Sequence, residues 1–321
     1  MSRTRRMSRV AAAAAALALT VGALAGAPAA SAAPSAAASA VTVSSDVASY
    51  YANIHTDAST VYYPTTGTGK LPVALLLQGA DVDRDEYATY ARTVASYGFV
   101  VVVPNHWRLV FVDYGLFSHQ GQAIQTAIWA HVENVNPLSP LRNRIDTGSF
   151  TLLGHSFGAA TGLYTVQGNC QIPFCWLGGN QRPKELKAAA FYGANTVDPS
   201  GDGGIDPINT AGIPVALIQG SVDGVSTPAE AQGTYDAFSG GPASLITVNG
   251  ANHYGLTDSP APSGAEPDPS AQVLPQQVSI ETAARWSALY LRAQLGDDAA
   301  AAYVYGHGDA ADSNVTVQHR P

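Results

Sequence analysis

Charge is scarce in this chain: Asp, Glu, Lys and Arg make up 12% of its 321 residues, about half the usual share of a soluble domain. Only 16 residues are Lys or Arg against 24 Asp or Glu, a formal net charge of −8. No basic stripe exists, which excludes a nucleic-acid partner. Cysteine is scarcer still, with two in the whole chain. A disulfide scaffold and a cysteine-rich metal site are both excluded, so a hydrophobic core must hold the fold. Internal repeats are missing, which argues against a solenoid or propeller. Beyond the N-terminal segment no apolar run is long enough to span a bilayer, so no stable membrane anchor is expected.

What is present is apolar. Hydrophobic residues reach 46%, enough for one large domain with a substantial core. Arg3, Arg5, Arg6 and Arg9 precede an alanine- and leucine-rich run from Val10 to Gly26, and Ala30-Ser31-Ala32 fits a small-residue cleavage site. This pattern predicts a secretory signal peptide over 1–32. Its removal takes four arginines and no acid, moving the formal charge from −8 to −12. The expected organisation continues with a flexible linker at 33–44, a catalytic domain at 45–300 and a C-terminal tail at 301–321, where His307 and His319 lie.

Gly154-His155-Ser156-Phe157-Gly158 carries the chemistry. The apolar run Phe150–Leu153 before it reads as a buried strand, and Ala159–Leu163 after it reads as a helix that packs closely on a sheet. A G-x-S-x-G between a strand and a helix is a nucleophile elbow, with the serine hydroxyl exposed at the top of the sheet. A serine hydroxyl needs a general base, and the base needs an orienting carboxylate. In such sheets the chain order is Ser, then Asp or Glu, then His. Asp223 comes after the apolar strand 213–220, and His253 after the strand 244–249. The 30 residues between them leave room for one strand–helix unit. Asp206 and Asp258 are the competing acids, but neither directly succeeds such a strand. His155 should point away from the nucleophile and serve the fold. The oxyanion donors are expected at the N–H of Phe157 and, after the strand Leu71–Leu77, at the N–H of Ala80.

On these segments the chain resembles the α/β-hydrolase superfamily, within the branch that is chlorophyllase-like, dienelactone-hydrolase-like and secreted-polyester-hydrolase-like. The resemblance covers about residues 45–296. It rests on Pro72–Gly79, Tyr90–Pro104, the elbow Gly154–Gly158 and the histidine loop Gly250–His253. It implies an α/β-hydrolase fold, a mainly parallel central sheet flanked by helices, and a cofactor-free serine hydrolase of carboxylic esters. Two departures stand out. Many relatives carry His where this chain has Gln78, and Gly in a fuller G-H-S-x-G-G pattern where it has Ala159-Ala160; alanine still permits close packing.

Export predicts that Cys170 and Cys175 form a disulfide, closing a short surface loop after the nucleophile helix and outside the triad. Asp198, Asp202 and Asp206 loosely match a calcium-loop pattern. Ser200 and Asn209 stand where ligands are expected, so the stretch reads as a glycine-rich surface loop, and a bound calcium would be structural. After the strand ending at Pro104 come Asn105, His106, Trp107, Tyr114, Phe117 and His119; Trp107 and Phe117 are the candidate substrate contacts. The expected molecule is a monomeric, secreted serine carboxylester hydrolase acting on a small or polymeric ester. An acyltransferase using the same triad, or a non-catalytic binding protein on the same scaffold, stays open at this point.

Overall fold

A computed structural model describes residues 41–175, 182–197, 204–205 and 207–321. The leader read at 1–32, linker residues 33–40 and the acids Asp198, Asp202 and Asp206 lie outside the described residues.

Nine strands form the main sheet: β1 (Val47–Ile54), β2 (Asp57–Pro64), β3 (Leu71–Leu77), β4 (Val100–Asn105), β5 (Ile145–His155), β6 (Leu186–Tyr192), β7 (Val215–Gly220), β8 (Ala243–Val248) and β9 (Val315–Arg320). Their spatial order is β1-β2-β4-β3-β5-β6-β7-β8-β9. Every pairing from β4 to β8 is parallel. The outer pairings, β1 with β2, β2 with β4 and β8 with β9, are antiparallel. The inner strands read as unbroken apolar runs because helices cover both faces of a parallel sheet. Side-chain alternation divides them. Val73, Leu75 and Leu77 pack with Ala123 and Ala127 of α2 (Gly121–Val135) and Leu163 of α3 (Phe157–Gln167). Ala74 and Leu76 pack with Val94 of α1 (Ala88–Ser96) and with Trp286 and Leu289 of α5 (Gln276–Gln294). Between β7 and β8 runs α4 (Pro228–Asp236), opened by a capping box in which Thr227 and Glu230 satisfy each other's backbone N–H groups.

Two segments differ from their sequence reading, and a third gains a structure the sequence did not announce. Residues 301–321 do not run as a tail. Val315–Arg320 closes the sheet edge as β9, and His319 is pinned from both ring nitrogens, by Ser244 at 2.8 Å and the Val304 carbonyl at 3.0 Å. Alternation is weak in this polar strand, so only its partner β8 reveals it. Val41, placed in the linker, is buried in the core. The aromatic stretch after β4 is a β-hairpin, Trp107–Val110 paired with Asp113–Leu116. Parallel strands bring their C-terminal ends to one rim, where open α/β sheets place their sites.

Candidate active site

Ser156 sits between the end of β5 and the start of α3 with φ 53° and ψ −119°. A bulky or branched residue would be a genuine outlier there, and the surrounding packing enforces the turn. A Cβ on Gly158 would lie 2.1 Å from the Leu77 carbonyl oxygen, so the elbow needs glycine where α3 presses on β3. Ser156 N–H donates to the Tyr192 carbonyl at 2.9 Å, which ties the elbow to the end of β6. The next residue, Gly193, faces the other two predicted members. A Cβ built on it would lie 3.1 Å from the His253 ring and 3.3 Å from Asp223 Oδ2. Ser156, Asp223 and His253 thus converge around Tyr192–Gly193.

Asp223 and His253 form a buried hydrogen-bonded pair. His253 Nδ1 lies 2.9 Å from Asp223 Oδ2. The other carboxylate oxygen, Oδ1, accepts from the N–H groups of Val225 at 2.9 Å and Ser226 at 2.8 Å. A carboxylate held on both oxygens presents one fixed lone pair to the imidazole, which sets its tautomer and leaves Nε2 as the acceptor. Asp258, a competing acid, instead accepts from Thr89 N–H at the start of α1. The other competitor, Asp206, lies outside the described residues.

The segments that carry the predicted oxyanion donors adjoin one another. The loop after β3 lies against the elbow: a Cβ on Gly79 would be 3.4 Å from Ser156 Cβ. Neither the Ala80 nor the Phe157 N–H donates to a protein acceptor among the described residues. Phe157 is the first residue of α3, where backbone donors have no intrahelical partner. Gln78 does not reach this site. It is fully buried, and its amide bridges the His106 N–H and the Pro104 carbonyl.

Four residues outside the predicted triad hold the site together, and three of them, Asp268, Tyr87 and Phe174, went unread in the sequence. Asp268, in the proline-rich stretch after the histidine loop, accepts from His253 N–H at 2.7 Å, Ser270 N–H at 2.6 Å and Gly224 N–H at 3.2 Å. One side chain therefore joins the loop of the acid to the loop of the base. Tyr87 and His155 form a second link. His155 Nε2 is 2.9 Å from the His253 carbonyl oxygen, and Nδ1 is 2.9 Å from the Tyr87 hydroxyl. A carbonyl only accepts, so Nε2 carries the proton. Burial, reinforced by the neighbouring His253, pushes the His155 pKa well below the usual histidine value and keeps the ring neutral. Nδ1 must then accept from Tyr87, whose oxygen accepts in turn from Gly79 N–H at 2.9 Å. The directed chain Gly79 to Tyr87 to His155 to His253 spans the oxyanion loop, the elbow and the histidine loop. His155 serves structure, as expected, and what it holds is the site.

The fourth is Phe174. Its ring lies 4.8 Å from that of Phe157, which also meets Phe117 at 5.3 Å. Phe174 belongs to the loop closed by the Cys170–Cys175 disulfide. That loop, expected to lie outside the triad, also supplies an aromatic wall beside the residue next to Ser156. No spacing rule predicts a side chain returning from a surface loop. Of the two candidate substrate contacts, Phe117 is buried at this wall, whereas Trp107 stands on the exposed face of the hairpin, stacked on Tyr114.

A nine-stranded, mainly parallel sheet with a serine on a strained strand-to-helix elbow defines an α/β hydrolase. A family model described as PETase, PET hydrolase-like, matches residues 21–174, just under half of the chain. Over those residues the chain is similar to the PET hydrolase-like family, and its mainly parallel sheet has the α/β-hydrolase arrangement. Its coarse class is an ester hydrolase of the α/β-hydrolase kind. The match includes the oxyanion loop, the hairpin and the elbow, and stops before Asp223 and His253. No curated protein matches the chain. Among the described residues no helix is long and apolar enough to cross a membrane.

Proposed function

We propose that the protein is a secreted serine carboxylester hydrolase working through Ser156, His253 and Asp223. The observation that carries this reading is the buried Asp223–His253 pair at the same strand rim as the Ser156 elbow. His253 Nε2 takes the Ser156 proton as Oγ attacks the ester carbonyl, and Asp223 stabilises the imidazolium. The developing oxyanion is received by the Phe157 and Ala80 N–H groups. His253 returns the proton to the leaving alcohol, and water then hydrolyses the acyl-enzyme by the same steps. This chemistry needs no cofactor or metal. The PET hydrolase-like match supports polyesters as the substrate class, and the N-terminal pattern supports export. The test is hydrolysis of a p-nitrophenyl ester together with labelling by a serine-reactive organophosphate. Both signals are expected in the native chain and neither in Ser156→Ala. Labelling that survives the substitution overturns the assignment.

A further inference from the structure

The hairpin after β4 is built against the preference of its own turn. Phe111 and Val112 occupy the two central positions between the paired residues Val110 and Asp113. Phe111 has φ 55°. A two-residue hairpin turn with positive φ at the first position ordinarily takes glycine there, because a side chain crowds the backbone. Here that position holds a large aromatic ring, 68% exposed, and the next a valine, 98% exposed. The strain gains no core packing in return. Below the tip, Trp107, Leu109 and Tyr114 continue the exposed apolar surface, Trp107 and Tyr114 with rings stacked at 5.9 Å. A contiguous exposed apolar patch of this kind, carried on a strained turn, marks an interaction surface.

The foot of the hairpin is fixed to the site. Asp81, the residue after Ala80, donates its N–H to the Leu116 carbonyl at 2.8 Å and accepts from Leu116 N–H at 2.9 Å. Phe117, directly after the second strand, packs on Phe157. The exposed face is therefore rigidly joined to the oxyanion loop and to the residue after the nucleophile. Charge selects what it meets. From Trp107 to Leu116 the only charged residues are Arg108, which is buried, and Asp113. Surfaces that dock on anionic lipid use Lys and Arg beside their apolar face, and this chain carries a formal charge of −8. What suits the face is extended, apolar and uncharged.

We propose that the Trp107–Leu116 hairpin is a docking element that seats the enzyme on the surface of a solid, uncharged polyester, with Phe111 and Val112 at the point of contact. The proposal rests on the ester-hydrolase reading for its substrate class, but adsorption does not require turnover. The test therefore uses the full chain carrying Ser156→Ala and measures its adsorption to a polyester film. Two variants are compared with it: Phe111→Gly/Val112→Ser, and Leu109→Thr. Glycine suits the positive φ of position 111 and threonine suits a strand, so both variants keep the fold, checked by an unchanged or raised Tm. The expected result is a tenfold or greater loss of film adsorption for the tip variant and a smaller loss for Leu109→Thr. With Ser156 restored, kcat/KM on a soluble p-nitrophenyl ester stays within twofold of the parent. Equal adsorption of parent and tip variant, or no adsorption of the parent, overturns the proposal. So does binding of the parent to anionic phosphatidylglycerol vesicles that the tip variant loses, which would make the face a membrane site. A concentration-dependent dimer abolished by the tip variant would overturn it too, making this a self-association face. Failure of the ester-hydrolase reading would show separately, as absent p-nitrophenyl ester turnover in the native chain.

Discussion

Two walls meet at Ser156, and they are built on opposite principles. On one side stand Asp223, His253 and Asp268, with carboxylates whose oxygens are engaged by N–H groups or by the imidazole at 2.6 to 3.2 Å. On the other stand Phe117, Phe157 and Phe174, which touch through ring faces and edges. Hydrogen bonds are directional, so the polar wall fixes atoms to within tenths of an ångström, as proton transfer requires. Aromatic contacts tolerate several geometries, so the apolar wall fixes a shape rather than a position. On the proposed reading the polar wall governs the rate common to all esters, and the apolar wall governs which ester reaches it.

The acid puts this contrast to its most severe test. Asp223→Asn keeps the volume but supplies an amide where His253 needs a carboxylate, so kcat should fall by about 10⁴ for every ester tried. A fall confined to bulky esters would assign the carboxylate to the wrong wall. Next in size is Asp268→Ala, which strips the acceptor from the His253 and Gly224 N–H groups. Loosening two loops that must hold the proton path should cost about 100-fold in kcat with little change in KM. Asp268→Asn, which retains an acceptor oxygen, should recover part of that loss. Equal activity of Ala and Asn variants would show that the side chain only fills space.

The polar wall was largely legible before the fold was known. Ser156, Asp223 and His253 each lie just past an apolar strand, and parallel strands deliver their C-terminal loops to one rim. The same logic proposes Ala80 and Phe157 as donors, because the elbow and the loop after β3 are local backbone features. It failed where contact comes from far along the chain. Asp268 sits 15 residues past His253 in a proline-rich stretch with no periodicity, and Tyr87 reaches back to Gly79 from a single helical turn. The aromatic wall was half legible for the same reason. Phe117 and Phe157 lie beside recognised elements, whereas Phe174 arrives through a disulfide loop. The hairpin escaped altogether, since its turn carries Phe111 and Val112 in place of the glycine or asparagine that announces one.

Tyr87→Phe probes the link that joins the two sides of the polar wall. The ring can stay in its buried place while Gly79 N–H loses its acceptor and His155 loses its donor. Loss of one hydrogen bond's worth of positioning should lower kcat by about tenfold, with KM unchanged because Tyr87 and His155 are both fully buried. The double variant Tyr87→Phe/His155→Gln should be less than additive, since both act through one chain. Full additivity would mean that each residue works separately and that no directed chain exists.

The smallest effect is expected at the apolar wall, where it should also be the most selective. The Cys170–Cys175 pair, with five residues of sequence separation, closes a loop so short that its constraint on the unfolded chain is worth about 2 kcal/mol. Cys170→Ser/Cys175→Ser should therefore lower Tm by a few degrees and leave the folded domain in place. Its larger consequence lies in Phe174, which the loop presses onto Phe157 and whose carbonyl accepts from Gln120 N–H at 3.0 Å. With the loop released, kcat/KM for p-nitrophenyl benzoate should fall a few-fold while that for p-nitrophenyl acetate stays level. Phe174→Ala in the intact disulfide form should reproduce the selectivity change without the loss of Tm. If the two variants instead lower both substrates equally, the disulfide loop belongs to the rate-setting wall, and the division between direction on one side of Ser156 and shape on the other does not hold.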